Sequence, residues 1–392
     1  MGKWKECTIG DIGTVVGGAT PSTKKIENYE NGTIAWITPK DLSNFSGRYI
    51  SHGERNITET GLKSCSSQLM PKNSVLFTSR APIGYVAIAE NEVCTNQGFK
   101  SVVPNENTDF LFLYYLLKYN KDNIENMGSG TTFKEVSGKT MREIIVKVPE
   151  TIEEQHKIAE ILGTIDDKIE VNEKINKNLE EQAHAIFSSE FTQLDELPTG
   201  WKKSNLLDIA DYLNGLAMQK FRPLDDEDGI PVLKIKELRQ GSCDSNSDLC
   251  SPSIKPEYIV NDGDVIFSWS GSLLVDFWCG GTCGLNQHLF KVTSPKYDKW
   301  FYYAWTNYHL EKFAKIAADM ATTMGHIKRE ELSNSEVLIP SETDYVRIGG
   351  LLVPIYNLII SNRLENVKLA NLRDSLLPRL MSGELVISEV EL

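Results

Sequence analysis

The sequence of 392 residues lacks the features of a membrane or secreted protein. It contains no run of roughly 18 apolar residues, which a membrane-spanning helix needs, and residues 1–10 lack the apolar core of a signal peptide. Its seven cysteines are odd in number and form no paired CxxC motif, so neither a disulfide framework nor a zinc site is indicated. We therefore expect a cytoplasmic protein with free thiols.

Known catalytic signatures are also missing. The six histidines are scattered and form no HExxH motif. Ser137-Gly138-Lys139-Thr140 resembles the end of a phosphate-binding loop, but Phe133 stands where that motif requires glycine. The chain also has no Asn/Asp-Pro-Pro-aromatic tetrapeptide, which DNA amino-methyltransferases carry in their catalytic loop. We expect no catalytic residue, no metal site and no cofactor in this chain, although an enzyme of an unfamiliar type stays open.

The acidic net charge of −13 argues at first against a nucleic-acid partner. Residues 1–150 nevertheless carry 17 basic and 16 acidic side chains, which is a net charge of +1. Residues 151–197 carry −8, residues 198–340 carry −4 and residues 341–392 carry −2. Because most of the negative charge lies in one predicted helical segment, the first globular part can still present a basic face.

The two halves of the chain repeat each other at an offset of about 190 residues. The matching segments are Trp4-Lys5 and Trp201-Lys202, Asp11-Ile12 and Asp208-Ile209, Ser74-Val75-Leu76-Phe77-Thr78 and Asp264-Val265-Ile266-Phe267-Ser268, Asn96-Gln97 and Asn286-Gln287, Leu113-Tyr114-Tyr115 and Phe301-Tyr302-Tyr303, Thr131-Thr132 and Thr322-Thr323, and Val146-Lys147-Val148-Pro149 and Val337-Leu338-Ile339-Pro340. Such a repeat indicates two copies of one fold, each followed by its own helix.

The segments after these prolines predict two long helices that repeat each other residue by residue. Thr151-x-x-Glu154 and the weaker Ser341-x-x-Asp344 are typical of helix starts. A 4-3 spacing follows in each helix, at Ile158, Leu162, Ile165, Ile169, Asn172, Asn176 and Leu179, and at Ile348, Leu352, Ile355, Ile359, Asn362, Asn366 and Leu369. Apolar residues at this spacing predict a coiled-coil seam, in which asparagine fixes the register. We expect the helices to pack on each other; the alternative is that each lies on its own domain with the asparagines exposed.

Each helix can run for about 37 residues, or roughly 55 Å at 1.5 Å per residue. The second helix contains Gly349-Gly350, Pro354 and Pro378, and a proline at these places is expected to kink or break it. Gly383 is a plausible helix end. Residues 194–200, with their proline and glycine, are expected to link the two halves.

Inside each globular part the pattern predicts short strands and a helix, which favours an α+β fold class. The predicted strands are residues 74–79, 85–89, 144–148, 265–269 and 336–339, and the predicted helices are residues 110–119 and 300–315. Asp109 and Asp298 are possible N-caps of these helices. The apolar helix positions place Tyr114, Tyr115, Tyr302 and Tyr303 in the core rather than at a binding surface.

This arrangement resembles the specificity subunit of type I restriction-modification systems over the whole chain. The resemblance is carried by a Trp-Lys…Asp-Ile opening in each half and by the helix signature Glu153-Glu154-Gln155-His156-Lys157-Ile158-Ala159-Glu160-Ile161-Leu162 with Ile165-Asp166, Ile169 and Asn172. The closing segment Leu376-Leu377-Pro378-Arg379-Leu380-Met381-Ser382-Gly383-Glu384-Leu385 also looks typical.

The resemblance implies a tandem duplication of a target recognition domain and a helix, with the two helices packed as an antiparallel coiled coil. Residues 1–150 and 198–340 would be the recognition domains, and residues 151–197 and 341–392 the helical spacers with a linker. Each domain would read half of a bipartite target in double-stranded DNA. The helices would dock two methyltransferase subunits that use S-adenosylmethionine, and a motor-nuclease subunit would use ATP and magnesium. This chain itself would be no enzyme.

Loop residues that can hydrogen-bond base edges are the candidates for DNA contact, since arginine or lysine suits guanine and asparagine or glutamine suits adenine. They are Thr20, Ser22, Lys24, Lys40, Arg80, Gln97, Thr131 and Thr132 in the first domain, and Lys220, Arg222, Lys234, Lys236, Ser270, Gln287, Thr322, Thr323 and Lys328 in the second. The repeat-matched glutamines could instead be structural. Since Arg80 aligns with Ser270, the two domains should read different half-sites. A stand-alone DNA-binding regulator and a coiled-coil scaffold without nucleic acid remain alternatives.

Overall fold

The chain forms two compact units in a computed structural model. The first unit comprises Met1–Glu170 with Leu369–Leu392, and the second comprises Val171–Lys368. The structure describes residues 3–43, 45–80, 82–130, 134–319 and 327–385. Four of the candidate DNA-contact residues lie outside these ranges, namely Thr131, Thr132, Thr322 and Thr323.

The first unit alternates short strands with short helices before its long helix. Its strands are β1 Trp4–Thr8, β2 Gly13–Gly17, β3 Ile34–Ile37, β4 Tyr49–Ile50, β5 Arg55–Ile57, β6 Val75–Ser79, β7 Ile83–Ala89, β8 Val93–Thr95, β9 Lys100–Pro104 and β10 Ile145–Pro149. Its helices are α1 Ile9–Ile12, α2 Pro39–Ser43, α3 Glu59–Lys63, α4 Phe110–Tyr119, α5 Lys121–Asn126, α6 Gly138–Glu143 and the start of α7 Ile152–Phe187, with a 3-10 turn at Ile26–Asn28.

The strands of this unit form sheets whose central members are apolar along their length. β1 pairs antiparallel with β10. A larger sheet has the order β2-β9-β6-β7-β4, in which β4 runs parallel to β7, and a smaller one has the order β5-β3-β8, in which β3 runs parallel to β8. All residues of β6 are buried. Asp109 caps α4, because its carboxylate accepts a 2.7 Å hydrogen bond from the Phe112 backbone nitrogen.

The second unit repeats this order of elements. Its strands are β11 Lys202–Asn205, β12 Asp211–Asn214, β13 Ile230–Leu233, β14 Leu249–Cys250, β15 Ile259–Val260, β16 Val265–Ser268, β17 Leu274–Phe277, β18 Cys283–Leu285, β19 Leu289–Thr293 and β20 Glu336–Ile339. Its helices are α8 Leu206–Ile209, α9 Ile235–Gln240, α10 Lys299–Tyr308, α11 Leu310–Asp319, α12 Arg329–Ser333 and most of α13 Glu342–Met381, with 3-10 turns at Met218–Lys220 and Pro256–Tyr258. A π-helical turn, Ser188–Thr192, follows α7.

The sheets of the second unit share most of the topology of the first, although the larger sheet has no counterpart of β4 and the smaller sheet has one more strand, β15. β11 pairs with β20, and the larger sheet has the order β12-β19-β16-β17, which corresponds to β2-β9-β6-β7. The smaller sheet has the order β14-β13-β18-β15, with β13 parallel to β18. The duplication predicted from the sequence is therefore a duplication of the fold.

The helix predicted at residues 300–315 is confirmed except at one residue, His309, which divides it into two helices. α10 ends at Tyr308 and α11 begins at Leu310. The buried His309 lies between them and makes a 2.8 Å hydrogen bond from Nε2 to the carbonyl oxygen of Glu336. Trp305 and Phe313, which are eight residues apart, enter the same core, as residues on one helix face do.

The second long helix is continuous, so the predicted break at its glycines and prolines was wrong. α13 runs through Gly349-Gly350, Pro354 and Pro378 to Met381. A proline inside a helix costs about 3 kcal/mol. Burial of an apolar side chain contributes about 1.5–3 kcal/mol, and Ile348 and Leu352 flank the first break signals with no exposed surface. The predicted end is confirmed, because Gly383 has a left-handed φ of 76°.

The two long helices pack against each other through the predicted seam. Within the second unit, Nδ2 of Asn362 donates to Oδ1 of Asn176 at 2.9 Å, and Nδ2 of Asn172 donates to Oδ1 of Asn366 at 2.8 Å. Since rising numbers in α7 meet falling numbers in α13, the helices are antiparallel. Within the first unit, Nη1 of Arg373 donates to the Asp166 carboxylate at 2.6 Å, so the end of α13 again meets the beginning of α7.

An arginine paired with two carboxylates attaches each globular part to its helix segment. In the first unit the guanidinium of Arg48, only 4% exposed, donates to Oε1 of Glu170 at 2.8 Å and also to the Asp167 carboxylate. In the second unit Arg363 donates to the carboxylates of Asp276 and Glu180. Burial opposes the charge of each arginine, but the paired carboxylates hold its pKa above the ordinary value.

None of the helices in the described ranges has both the length and the apolar composition needed to cross a lipid bilayer.

Candidate nucleic-acid interface

Four loops of the first unit meet where the strands β2, β3, β6 and β8 end. The backbone nitrogen of Asn96 donates to the Ile37 carbonyl at 3.0 Å, and that of Ala19 donates to the Thr95 carbonyl at 3.0 Å. The hairpin between β6 and β7 joins the same cluster, because the nitrogen of Ser79 donates to the Gly98 carbonyl at 2.8 Å. These backbone hydrogen bonds fix loops that are far apart in sequence into one surface.

The second unit builds the same cluster from equivalent residues. The backbone nitrogen of Asn286 donates to the Leu233 carbonyl at 3.2 Å, and that of Leu216 donates to the Leu285 carbonyl at 2.9 Å. The nitrogen of Gln287 returns a 2.9 Å hydrogen bond to the Leu216 carbonyl. The loops after β12, β13 and β18 therefore meet as those after β2, β3 and β8 do.

A glycine makes the close approach possible in each unit. A Cβ atom on Gly18 would lie 2.1 Å from the Asn96 carbonyl oxygen, and one on Gly215 would lie 2.2 Å from the Asn286 carbonyl oxygen. Real Cβ atoms do not come this close to an oxygen, so a larger residue would push the loops apart. The repeated glycine is thus a requirement of the loop cluster.

The repeated Asn-Gln pair combines a structural residue with an accessible one. Oδ1 of Asn96 accepts a 2.8 Å hydrogen bond from the Gly98 nitrogen, and Oδ1 of Asn286 accepts one of 3.2 Å from the His288 nitrogen. The asparagines therefore stabilise the turns. Gln97 is exposed and Gln287 is half-buried, so each turn presents a glutamine amide.

In the first unit the turn brings together three of the candidate DNA-contact residues. The Thr20 hydroxyl donates to Oε1 of Gln97, and Arg80 lies at the adjoining hairpin. Ser22 and Lys24 are exposed on the loop before the 3-10 turn. The exposed Lys40 stands apart on α2, where a 2.7 Å ion pair with Glu54 raises its pKa.

In the second unit the turn brings together Ser270 and Gln287 through His288. The Ser270 hydroxyl lies 3.1 Å from Nδ1 of His288, and Nε2 of Gln287 lies 3.4 Å from Nε2 of the same ring. Because Ser270 is only 3% exposed, it orients the imidazole rather than presenting its own hydroxyl. The half-buried imidazole thus lies between the two side chains and connects them.

The remaining candidates of the second unit lie around this cluster rather than in it. Lys234 and Lys236, at the start of α9, are paired with Asp248 and Asp244 respectively. The other candidates are exposed, with Lys220 at the end of the 3-10 turn Met218–Lys220, Arg222 on the loop after it and Lys328 at the start of α12.

The sequence did not point to four side chains that the fold brings to these clusters: Lys100 and Glu135 in the first unit, and Trp269 and His288 in the second. Glu135 lies 3.9 Å from Nη1 of Arg80, and Nζ of Lys100 lies 3.8 Å from the same carboxylate. His288 follows the repeated Asn-Gln pair directly, which was a usable signal. Histidine was not among the residue types expected to contact bases.

The clusters consist of hydrogen-bond donors and acceptors on rigid turns, which is the chemistry that reads base edges in a DNA groove. Within the described ranges, no group of three or more His, Cys, Asp or Glu side chains is placed to hold a metal ion.

Comparison with known proteins gives consistent matches over the whole chain. A family model described as the type I restriction modification DNA specificity domain matches residues 1–181 and again residues 198–369. The chain is 36% identical over 418 aligned positions to the type I restriction enzyme MjaIX specificity subunit of Methanocaldococcus jannaschii, covering 99% of this chain and 94% of that protein. It is 19% identical to the HindI specificity subunit of Haemophilus influenzae, covering 98% of this chain and all of that protein.

A solved structure shares the fold. The crystal structure of the type I restriction-modification system S subunit from M. genitalium matches with a TM-score of 0.59 and 15% identity, covering 97% of this chain and 96% of that one.

Proposed function

Because the chain belongs to the type I restriction-modification DNA specificity family, as a specificity subunit with two tandem target recognition domains, we propose that each domain reads one half of a bipartite DNA target. Specificity subunits are not catalytic, so this chain recognises the DNA sequence and its partner subunits catalyse the reactions. The observation that carries the proposal is the loop cluster that recurs in both units on one backbone plan with different side chains.

The two loop clusters have the same backbone arrangement but different side chains, so they can recognise two different half-sites. Arg80 and Gly98 in the first cluster correspond to Ser270 and His288 in the second. Phosphate contacts give position without sequence information, whereas side chains at base edges give specificity. A change of side chain on a constant backbone changes the bases that are read, so the target is asymmetric.

The packed helices serve as the spacer between the two target recognition domains. Two weak binding sites joined by a stiff connection gain affinity through effective concentration only when their separation fits the ligand. The asparagine pairs of α7 and α13 set one register, and one register gives one separation. The spacer therefore fixes the gap between the half-sites.

The exposed apolar residues of the helices are the docking surface for two methyltransferase subunits. Val171 and Ile175 on α7 are 47% and 41% exposed, and Leu351 and Leu358 on α13 are 46% and 45% exposed. Residues four or seven positions apart share a helix face, and an exposed apolar face marks an interaction site. The methyltransferases use S-adenosylmethionine, and a motor-nuclease subunit that uses ATP and magnesium completes restriction in the cytoplasm, where the DNA lies.

Co-expression with methyltransferase subunits tests this function. The chain should co-purify with them, and sequencing that detects methylated adenine should find a gapped, asymmetric motif only in cells that carry this chain. Absence of both co-purification and chain-dependent methylation overturns the proposal. Tight binding of one duplex by the isolated chain would favour a stand-alone regulator, and an assembled complex without salt-sensitive DNA binding would favour a scaffold.

A further inference from the structure

Arg80 lies on a hairpin whose shape is fixed before any ligand arrives. The pairing of β6 with β7 shifts register between Phe77 and Ser79, which turns the strand just before Arg80. The Thr78 hydroxyl closes the hairpin, because it donates to the Pro82 carbonyl at 2.8 Å and accepts from the Tyr85 nitrogen at 2.9 Å. The backbone at Arg80 is therefore held from both sides.

A second segment brings Glu135 alongside Arg80. Glu135 forms an antiparallel bridge with Arg80 and another with Ser129. The nitrogen of the next residue, Val136, donates to the Ser79 carbonyl at 2.9 Å. The Glu135 carboxylate lies 3.9 Å from Nη1 of Arg80, whose side chain is 37% exposed. Such a half-exposed pair contributes little stability. At 3.9 Å it is a charge contact rather than a hydrogen bond, and it attracts the guanidinium toward the segment that carries Glu135.

Lys100 balances the carboxylate on its other side. Nζ of Lys100 lies 3.8 Å from Glu135, and its side chain is 16% exposed. Burial lowers the pKa of Lys100, while the Glu135 charge acts in the opposite direction. The three side chains keep a net positive charge, so Glu135 orients Arg80 without making the cluster repel DNA.

The second domain shows that the fold does not need this cluster. At the repeat offset of 190, Ser270 stands in place of Arg80 and the buried Phe290 in place of Lys100. The hairpin is nevertheless closed by the same device, since the Ser268 hydroxyl donates to the Ser272 carbonyl at 2.9 Å. A charged cluster that one copy of the fold lacks serves that domain's own ligand rather than its stability.

We propose that Arg80, positioned by Glu135, reads a guanine in the half-site of the first domain; this inference rests on the proposed function. The guanidinium carries only donors and therefore faces acceptors, and guanine offers N7 and O6 side by side in the major groove. A bidentate contact to guanine requires a defined guanidinium plane, whereas a phosphate contact requires only a positive charge.

The test uses the assembled complex with its methyltransferase subunits and duplexes that carry the methylated site found in cells. Each base pair of the site is replaced in turn, and binding is measured at several salt concentrations. R80A should lose discrimination at one G·C pair by about 10-fold or more, leaving the other half-site unchanged. R80K should fail in the same way, because lysine lacks the planar fork. S270A should alter the other half-site, which assigns each half-site to its domain.

Glu135 is tested as a positioning residue. E135Q should reduce discrimination at the same base pair, by less than R80A does, with the salt dependence of binding unchanged. The matched control is R142A, since Arg142 is an exposed arginine of the same unit on α6; it should discriminate as the unsubstituted complex does.

Three results overturn the inference. R80A could weaken binding to every duplex equally and lower the salt slope by about one, which identifies a phosphate contact. R80K could discriminate between base pairs as well as the unsubstituted complex does. Alternatively, replacing any G·C pair of that half-site could leave binding unchanged. If instead the unsubstituted complex methylates no gapped site at all, the proposed function fails first, so the two failures are distinguishable.

Discussion

Asn362 donates a 2.9 Å hydrogen bond through its side-chain amide to Oδ1 of Asn176, and both residues are buried where α13 packs on α7. N362L should destabilise the chain by about 1–3 kcal/mol, because it leaves a buried acceptor without its donor. N176L/N362L should recover most of that loss, since an apolar pair removes both polar groups. Urea unfolding followed by circular dichroism measures each free energy of unfolding.

The double variant distinguishes a paired layer from two independent asparagines. A recovered stability in N176L/N362L confirms that the residues act as a pair. Additive losses in the double variant would contradict the packing of these helices through the asparagine layer.

Arg48 should matter far more to stability than an exposed lysine of the same unit. R48M leaves the half-buried Glu170 carboxylate without its cation and should cost about 1–3 kcal/mol. The control is K63A, because Lys63 is 78% exposed in its pair with Glu59 and should change stability by about 0.5 kcal/mol or less. Equal midpoints of urea unfolding for both variants would contradict the role given to Arg48.

His309 should make the second unit sensitive to acid. Burial lowers the pKa of His309 below its ordinary value, although its hydrogen bond to the Glu336 carbonyl acts in the opposite direction. The unfolded chain binds a proton below about pH 6.5 while the folded chain stays neutral. Stability present above that pH is therefore lost as the pH falls.

The measurement for His309 is the melting temperature between pH 8 and 5, roughly the range in which histidine titrates. H309Q keeps a donor for the carbonyl but cannot be protonated, so its melting temperature should fall less with pH than that of the unsubstituted chain. Parallel curves for the two proteins would show that His309 does not control this dependence.

Charged residues on the exposed apolar face of the helices should prevent assembly with the methyltransferase. I175E/L358E replaces two side chains that are 41% and 45% exposed, and it should lower co-purification by about 10-fold or more. The matched control is I26E, since Ile26 is 69% exposed but lies in a recognition domain. If the helix variant co-purifies as well as the unsubstituted chain does, at an unchanged melting temperature, these residues do not form the docking surface.

The repeat made the helix packing predictable from the sequence. Asn172 and Asn176 recur as Asn362 and Asn366, and polar residues in an apolar seam need a partner. Periodicity did not reveal that α13 continues through Pro354, because the cost of a proline is local whereas the burial that offsets it comes from tertiary packing.

The recognition clusters were predictable only in part, for a similar reason. Gln97 and Gln287 could be found because the repeat marks them at one offset. Glu135 meets Arg80 across a bridge between segments that are distant in sequence, and no local pattern encodes that pairing. The repeated Asn-Gln pair marks the position of His288, but Gly98 stands at the matching position of the first domain, so the repeat does not predict the histidine itself.

The most direct test of the helices as a spacer is to change their length. Duplicating residues 169–175 in α7 together with residues 363–369 in α13 adds one heptad to each helix and keeps the 4-3 seam. Seven residues add about 10.5 Å of helix, which corresponds to about 3 base pairs of DNA. Genome-wide mapping of methylated adenine should then show the same two half-sites with a gap wider by about 3 base pairs. The same half-sites at the original gap would contradict the account.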